Sequence, residues 1–312
     1  MNAVDKLSDI VKNSLGYIFE PGMKTRLLKA EARGEVKAEI EKVKGIESLG
    51  KTYESLPIKE EYKKHLYSQS LKRIGFTLIK EQENINDVLE GAFKELEGEQ
   101  ASDEVVDEDW INSFFSHAKN ISNEEMQIIW SKILASEIVN PSSYSLITLN
   151  VLKSIDKRIA NIFMNVARYV VQTPNSAIVP SKIYDRSKKP FAFSDIIELD
   201  SVGLLNQSTS TFLNFNRSVN PLSLYFLNNK KVIIVQPTLI NQFKINGYIL
   251  SKAGRELINL LQIECDDSFI NQFISFLYKK NKVFDILLAD FVGYDGSKVY
   301  YENEHPYPNP NM

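Results

Sequence analysis

The three histidines and the single cysteine are the residues best suited to hold a metal ion or act as a nucleophile, but their spacing favours neither role. None of His65, His117 and His305 has a second histidine or a cysteine at the spacing of a zinc site. Cys265 lies in an apolar stretch, and no second cysteine exists to form a disulfide with it. We therefore predict no bound metal, no cofactor and a reducing, cytoplasmic location.

Phosphate-binding loops and activated serines also have recognisable spacings, and this sequence lacks them. The 13 glycines form neither G-x-G-x-x-G nor G-x-x-x-x-G-K-[ST], and no G-x-S-x-G occurs. Asp285 and Asp290 would point to opposite faces of one strand, because five is an odd offset. The sequence therefore predicts no catalytic residues and a non-enzymatic protein.

One segment has the composition of a surface that contacts phosphates. Residues 201–255 contain no acidic residue, and aromatic side chains are interleaved with the positive charges. The positive residues are Arg217, Lys230, Lys231, Lys244, Lys252 and Arg255. This composition is typical of DNA- or RNA-binding surfaces. The helix expected at 194–203 carries Asp195, Glu198 and Asp200, which DNA would repel, so a charged face that binds no nucleic acid stays open as the alternative.

Charge is distributed unevenly along the 312 residues, although the net charge is only −3. Residues 97–140 carry 2 basic and 10 acidic side chains, and 7 of the acidic ones lie in 97–109. Because like charges repel and resist packing, residues 97–109 are predicted to form a solvated linker or an exposed loop. No apolar run is long enough for a transmembrane helix, and the length favours two domains.

The N-terminal part reads as helix. Apolar residues at 7, 10, 11, 15 and 18 share one helical face, but this helix has too few basic residues for membrane-surface contact to be favoured over packing on another helix. Residues 58–96 show a heptad repeat with Leu71, Leu78, Ile85 and Ala92 in one position and Ile74 and Val88 in the other. Glu81 and Glu95 interrupt this seam. A bundle within the chain and a helix-mediated oligomer or complex both remain open.

Two tryptophan-bearing helices follow. Trp110 and Phe114 lie on the apolar face of the first, and Trp130 lies on that of the second. Ser122 and Glu125 have the spacing of a capping box at the start of the second helix.

Beyond Pro174 the pattern is that of an α+β region. It contains a helix capped by Ser194, a hairpin from 222–227 and 231–235, a helix over 252–264, a helix over about 267–280 and a strand at 283–290. The proline-rich end, 301–312, is predicted to be a mobile tail.

Two stretches of this region resemble a winged-helix module. They are Phe193-Ser194-Asp195-Ile196-Ile197-Glu198-Leu199-Asp200-Ser201-Val202-Gly203-Leu204-Leu205 and, after the hairpin, Ile249-Leu250-Ser251-Lys252-Ala253-Gly254-Arg255-Glu256-Leu257. The resemblance covers roughly residues 150–264. It implies a helix, a β wing and a closing helix.

Residues 60–260 resemble a bacterial family of unknown function, number twenty-eight hundred and six. The motifs that carry the likeness are Asn84-Ile85-Asn86, Asp109-Trp110 with Phe114-Phe115, Ser122-Asn123-Glu124-Glu125-Met126-Gln127, Trp130 through Glu137-Ile138, and Pro141 with Tyr144-Ser145. The Trp130-Ser131-Lys132-Ile133-Leu134-Ala135 run is distantly similar to the alpha-type abortive-infection proteins of phage defence. The family supplies no catalytic residues, so Trp110, Phe114, Ser122, Glu125, Trp130 and Glu137 are expected to be structural.

These observations predict a mainly α protein with an α+β part, in which a helical N-terminal bundle or long helices precede a winged-helix-like domain. The expected segments are a helical region at 1–96, the acidic linker at 97–109, the tryptophan helices at 110–150, the winged-helix-like part at 151–300 and the tail at 301–312. The expected function is a non-enzymatic interaction or sensor protein, an accessory in phage defence. The expected partner is a second copy or another protein, bound through 58–96. The alternative is nucleic-acid binding through 201–255.

Overall fold

The computed structural model describes residues 2–24, 26, 59–173, 176–181, 190–216, 222–226, 231–237, 242–261, 267–280, 284–295 and 298–308. The chain divides into two compact units, residues 1–143 and 144–312. The fold is mainly α with an α+β part, as the sequence predicts. Most of the predicted helical region between residues 26 and 59 lies outside the described residues.

The first unit is helical. Its described helices are α1 (Ala3–Leu15), α2 (Glu60–Glu95), α3 (Glu108–Ala118) and α4 (Glu124–Val139). The apolar face of α1 is buried at Ala3, Leu7 and Val11, so this helix packs inside the unit as expected. It ends at Leu15, where Gly16 adopts a left-handed conformation (φ 76°), so Ile18 of the predicted apolar face lies beyond the helix.

The predicted acidic linker, residues 97–109, does not separate two units, although its seven carboxylates are exposed as expected of a loop. Residues 97–109 fold back on the first unit: Gln100 pairs with Asn2, Ser102 N donates to Val139 O at 2.9 Å, and Val106 is buried. The unit boundary instead follows Ser143. Lys6 makes this possible, because its buried ammonium donates to the carbonyls of Ser102, Glu104 and Ile138 at 2.8–3.0 Å.

The second unit contains an antiparallel sheet with helices around it. Its described helices are α5 (Leu146–Lys153), α6 (Lys157–Ala167), α7 (Phe193–Ser201), α8 (Lys252–Ile258) and α9 (Asp267–Lys280). The described strands are β1 (Val171–Thr173), β2 (Ser176–Pro180), β3 (Leu205–Asn216), β4 (Leu222–Phe226), β5 (Lys231–Pro237), β6 (Gln242–Leu250), β7 (Phe284–Asp295) and β8 (Lys298–Pro306). Among these residues the strand order is β3-β6-β2-β1-β4-β5-β7-β8.

Helix α9 covers one face of this sheet. Phe269, Phe273 and Leu277 of α9 pack with strand residues that include Ile233 and Val235 in one core cluster. Val232 and Ile234, which alternate with Ile233 and Val235 along β5, are buried on the opposite face. Strand β5 is therefore buried on both faces.

The region between α7 and α8 is larger than the predicted helix, hairpin, helix. The β4–β5 hairpin lies where the sequence places it, but β3 precedes it and β6 follows it along the chain, and these two strands pair with each other. The N-cap of α7 is Ala192 and not Ser194, and the Asp195 carboxylate accepts from Ala192 N at 2.8 Å. The predicted mobile tail is also wrong for residues 301–306, which belong to β8 at the edge of the sheet, where a proline is tolerated.

Candidate interaction surface

The long helix α2 is the largest element of the first unit. It runs for 36 residues, or about 54 Å at ~1.5 Å per residue, without a proline. Gly91 brings it close to α4, since a Cβ at this position would lie only 2.3 Å from Ser131 Oγ. The same Ser131 hydroxyl lies 2.8 Å from Val88 O, so the two helices are also joined by a hydrogen bond.

The C-terminal half of α2 is buried. Val88, Leu89 and Ala92 are fully buried, and Ile85 is 9% exposed. Phe93 is also buried and stacks on Phe19, with ring centroids 5.3 Å apart. The predicted heptad seam is therefore covered within the first unit in this half of the helix.

The N-terminal half of the same helix is largely uncovered. Leu71 and Ile74, which continue the seam, are only partly buried, and Leu78 is 53% exposed. Phe76 and Ile79, which lie outside the seam, are 66% and 60% exposed. Apolar side chains this exposed on one helix are characteristic of a protein-binding surface.

A groove lies beside the C-terminal half of α2. It encloses about 510 Å³ between residues 17–24, which follow α1, and residues 82–94 of α2. Ile18 (74% exposed) and Met23 (45% exposed) are among its lining side chains. Flexible methionines suit surfaces that accept varied apolar groups.

Polar contacts fix the shape of this groove. Glu90 accepts from Gly22 N at 2.7 Å, and Gln82 Nε2 donates to the Tyr17 hydroxyl at 2.8 Å. Burial raises the pKa of Tyr17, so this hydroxyl stays protonated. A hydrogen bond to Asp87 at 2.6 Å raises the pKa of Lys24. The groove is therefore lined by both apolar and charged side chains.

The residues predicted to bind nucleic acid do not form a common site in the described residues. Arg217 and Lys230 lie outside those residues, and Lys244 is in β6 with its side chain undescribed. Lys231 lies 2.6 Å from Asp290, and Lys252 lies 3.7 Å from Glu256. Arg255 is partly buried on α8. Carboxylates from outside the basic segment thus neutralise two of its positive charges.

Four of the six family-motif residues are buried in the first unit. Trp110, Phe114 and Trp130 are buried, and Phe114 packs against Trp130 with ring centroids 5.2 Å apart. The buried Glu137 accepts from Ser142 N at 2.6 Å, and Ser142 has a positive φ of 69°. This contact holds the turn that ends the first unit.

The N-cap of α4 lies one residue after the predicted Ser122 cap, and the predicted capping box does not form. Asn123 is the N-cap of α4, and its side chain accepts from Met126 N at 3.0 Å. Ser122 precedes the cap and is exposed, and Glu125 is an exposed residue of the first turn.

The Leu250–Leu257 motif is also structural. Ser251 Oγ accepts from Gly254 N at 3.0 Å and donates to Gly203 O at 2.6 Å. A Cβ on Gly254 would lie 2.2 Å from Leu204 O, so only glycine fits there. Glu256 accepts from Ser145 N at 2.8 Å and caps α5. The motif thus joins α8 to its neighbours within the second unit.

Sequence reasoning missed the groove and the second stripe of α2. That stripe runs through Lys72, Phe76, Ile79, Glu83, Asn86 and Glu90, at alternating spacings of four and three. This spacing can be read from the sequence, but only two of the six residues in the stripe are apolar. The heptad seam on the same helix is therefore the stronger signal.

Metal and membrane signals are also absent from the described part of the chain. No group of three or more His, Cys, Asp or Glu side chains is placed there to hold a metal ion. None of the described helices has both the length and the apolar character needed to cross a bilayer.

Comparison with known proteins gives one match. A family model described as "Protein of unknown function (DUF2806)" matches residues 69–274. No curated protein and no solved structure matches the chain. The winged-helix and abortive-infection resemblances are therefore not confirmed.

Proposed function

The chain belongs to the DUF2806 family of proteins of unknown function, and from this premise we propose that it is a non-enzymatic interaction protein. Its binding surface is the uncovered N-terminal half of α2, residues 60–81. The partner is another protein or a second copy of the chain.

The observation that carries this proposal is the contrast between the two halves of α2. Leu89 is fully buried in the C-terminal half, whereas Phe76 and Ile79 are each at least 60% exposed in the N-terminal half. Removing apolar surface from water is favourable by about 25 cal/mol per Å². A partner that covers these side chains would therefore gain binding free energy at this surface.

Sedimentation velocity or light scattering of the whole chain at tens of micromolar tests self-association. We expect a dimer or larger species, and Phe76→Glu with Ile79→Glu should weaken it at least tenfold, because a charge would be buried. Thr77→Glu is the matched control, since Thr77 is exposed on a different face of the same helical turn. A wild-type chain that stays strictly monomeric would remove the argument for self-association.

An accessory role in phage defence is a narrower proposal. It is supported by the resemblance of the Trp130–Ala135 run to abortive-infection proteins. Its test is the efficiency of phage plating on cells with and without the chain, with the Phe76→Glu, Ile79→Glu variant as comparison. Equal plating in all three strains would contradict it.

Nucleic-acid binding through residues 201–255 is the alternative function. Six positive and no negative charges in this segment support it, and the ion pairs of Lys231 and Lys252 weaken it. It predicts affinity for DNA that falls steeply with salt and is lost when Lys230 and Lys231 become Glu. Undetectable binding at low ionic strength would rule it out.

A further inference from the structure

The second stripe of α2 has two parts of different character. Its first half consists of Lys72, Phe76 and Ile79, which are exposed. Its second half consists of Glu83, Asn86 and Glu90, which line the groove. Because the spacing alternates between four and three throughout, both halves lie on one face of the helix.

The two parts of the stripe are complementary to each other in apolar character and in charge. The groove has the apolar side chains Ile18, Phe19 and Met23 on one wall, which suit an aromatic or branched side chain such as Phe76 or Ile79. The α2 wall of the groove carries three carboxylates, Glu83, Asp87 and Glu90, and one lysine, Lys94. The exposed half of the helix, residues 60–80, carries five basic and two acidic residues.

The groove cannot receive Phe76 of its own chain, because both lie along one rigid helix. Phe76 and Asn86 are ten residues apart, or about 15 Å along the axis. A second copy in antiparallel orientation removes this obstacle. The same two-fold rotation that brings Phe76 to the partner's Asn86 brings Ile79 to the partner's Glu83 and Lys72 to the partner's Glu90.

We infer that the partner of α2 is a second copy of this chain, docked antiparallel about a two-fold axis near Glu81, with Phe76 and Ile79 of each copy entering the groove of the other. This inference rests on the proposed function and specifies its partner. The interface is isologous, so each favourable contact occurs twice. A parallel pair would instead place Lys72 against its own equivalent and leave both grooves without an occupant.

Disulfide cross-linking tests the orientation. In a Cys265→Ser background, Phe76→Cys combined with Asn86→Cys should give a covalent dimer on mild oxidation. The two cysteines of one chain are too far apart to react with each other, since a disulfide needs Cα atoms within about 7 Å. Each single variant should give no covalent dimer, because equivalent residues lie about 15 Å apart along the antiparallel pair.

The outcomes separate this inference from the proposed function. A dimer in sedimentation that shows no cross-link in the double variant, or that cross-links in the Phe76→Cys single variant, overturns the antiparallel arrangement and leaves the proposed function standing. A chain that is monomeric at tens of micromolar overturns self-association and this inference with it.

A charge substitution gives a second test that does not depend on cysteine chemistry. Lys72→Glu should raise the dissociation constant of the dimer about tenfold, because two like-charge contacts with the partner's Glu90 replace two attractive ones. Arg73→Glu is the matched control, because it makes the same change one residue away from the stripe, and it should shift the constant less than twofold. Equal effects of the two variants would overturn the predicted register.

Discussion

The acidic run 97–109 and the basic run 201–255 each contact a charged residue distant in sequence, but at very different depths. Lys6 is only 8% exposed, and its ammonium donates to three carbonyls around the acidic run. Lys231 of the basic run pairs with Asp290, and both side chains are more than a third exposed. The comparison shows that a charge run does not by itself tell how the backbone that carries it is held.

The depth of the counter-charge decides what it contributes to stability. A buried ammonium with three acceptors fixes the chain around it, because three carbonyls share this one donor group. An exposed pair contributes about 0–1 kcal/mol, because water screens it. The backbone of the acidic run is therefore anchored to its unit while its seven carboxylates stay exposed, whereas the basic run remains a surface with reduced charge.

Lys6→Met gives the largest expected effect. We expect a loss of about 3 kcal/mol in the free energy of unfolding of the first unit, because three carbonyls lose their shared donor. Urea unfolding followed by tryptophan fluorescence measures it, since Trp110 and Trp130 both lie in this unit. Lys12→Met, on the exposed face of the same helix, should change it by less than about 0.5 kcal/mol. Equal stability of the two variants would contradict the role given to Lys6.

Glu256→Ala should have an intermediate effect in the second unit. Glu256 follows the basic run and caps α5 through Ser145 N and the Thr148 hydroxyl, with its side chain 15% exposed. We expect a local loss of about 1.5 kcal/mol, typical of a lost cap, seen as faster hydrogen exchange at the start of α5. Glu256→Gln retains an acceptor oxygen and should lose less. Unchanged exchange in the Ala variant would show that another group caps the helix.

Much of the fold could be predicted because local signals agree with it. Short-range periodicity in the sequence predicts the apolar faces of α1, α3 and α4, and it also predicts the β4–β5 hairpin. The contacts that hold the acidic run to its unit could not be predicted, because Lys6, which makes them, lies some 96 residues away in sequence. The Lys231–Asp290 pair could not be predicted either, because its two residues are also distant in sequence.

The candidate site was predictable only in part. The heptad seam identified α2 as a contact helix, but the seam alone does not tell which half the unit covers. Coverage depends on α4, which Gly91 and Ser131 bring against the C-terminal half. The exposure of Phe76 and Ile79 follows from tertiary packing and has no local signal.

Asp290→Asn should give the smallest effect on stability, and this effect should depend on pH. Hydrogen bonds from Lys231 and Asn303 lower the pKa of Asp290 below its ordinary value of 3.8. A carboxyl with a lowered pKa in the folded state adds stability above its unfolded value and loses it as the pH falls through the folded one. The Asn variant should therefore be slightly less stable than the wild type near neutral pH, and the difference should disappear as the pH falls through the lowered pKa of Asp290. Urea midpoints of the second unit between pH 2 and 7, followed by hydrogen exchange in β5 and β7, measure this convergence. A constant difference at all pH values would mean that Asp290 stabilises the strand edge through packing and not through its charge.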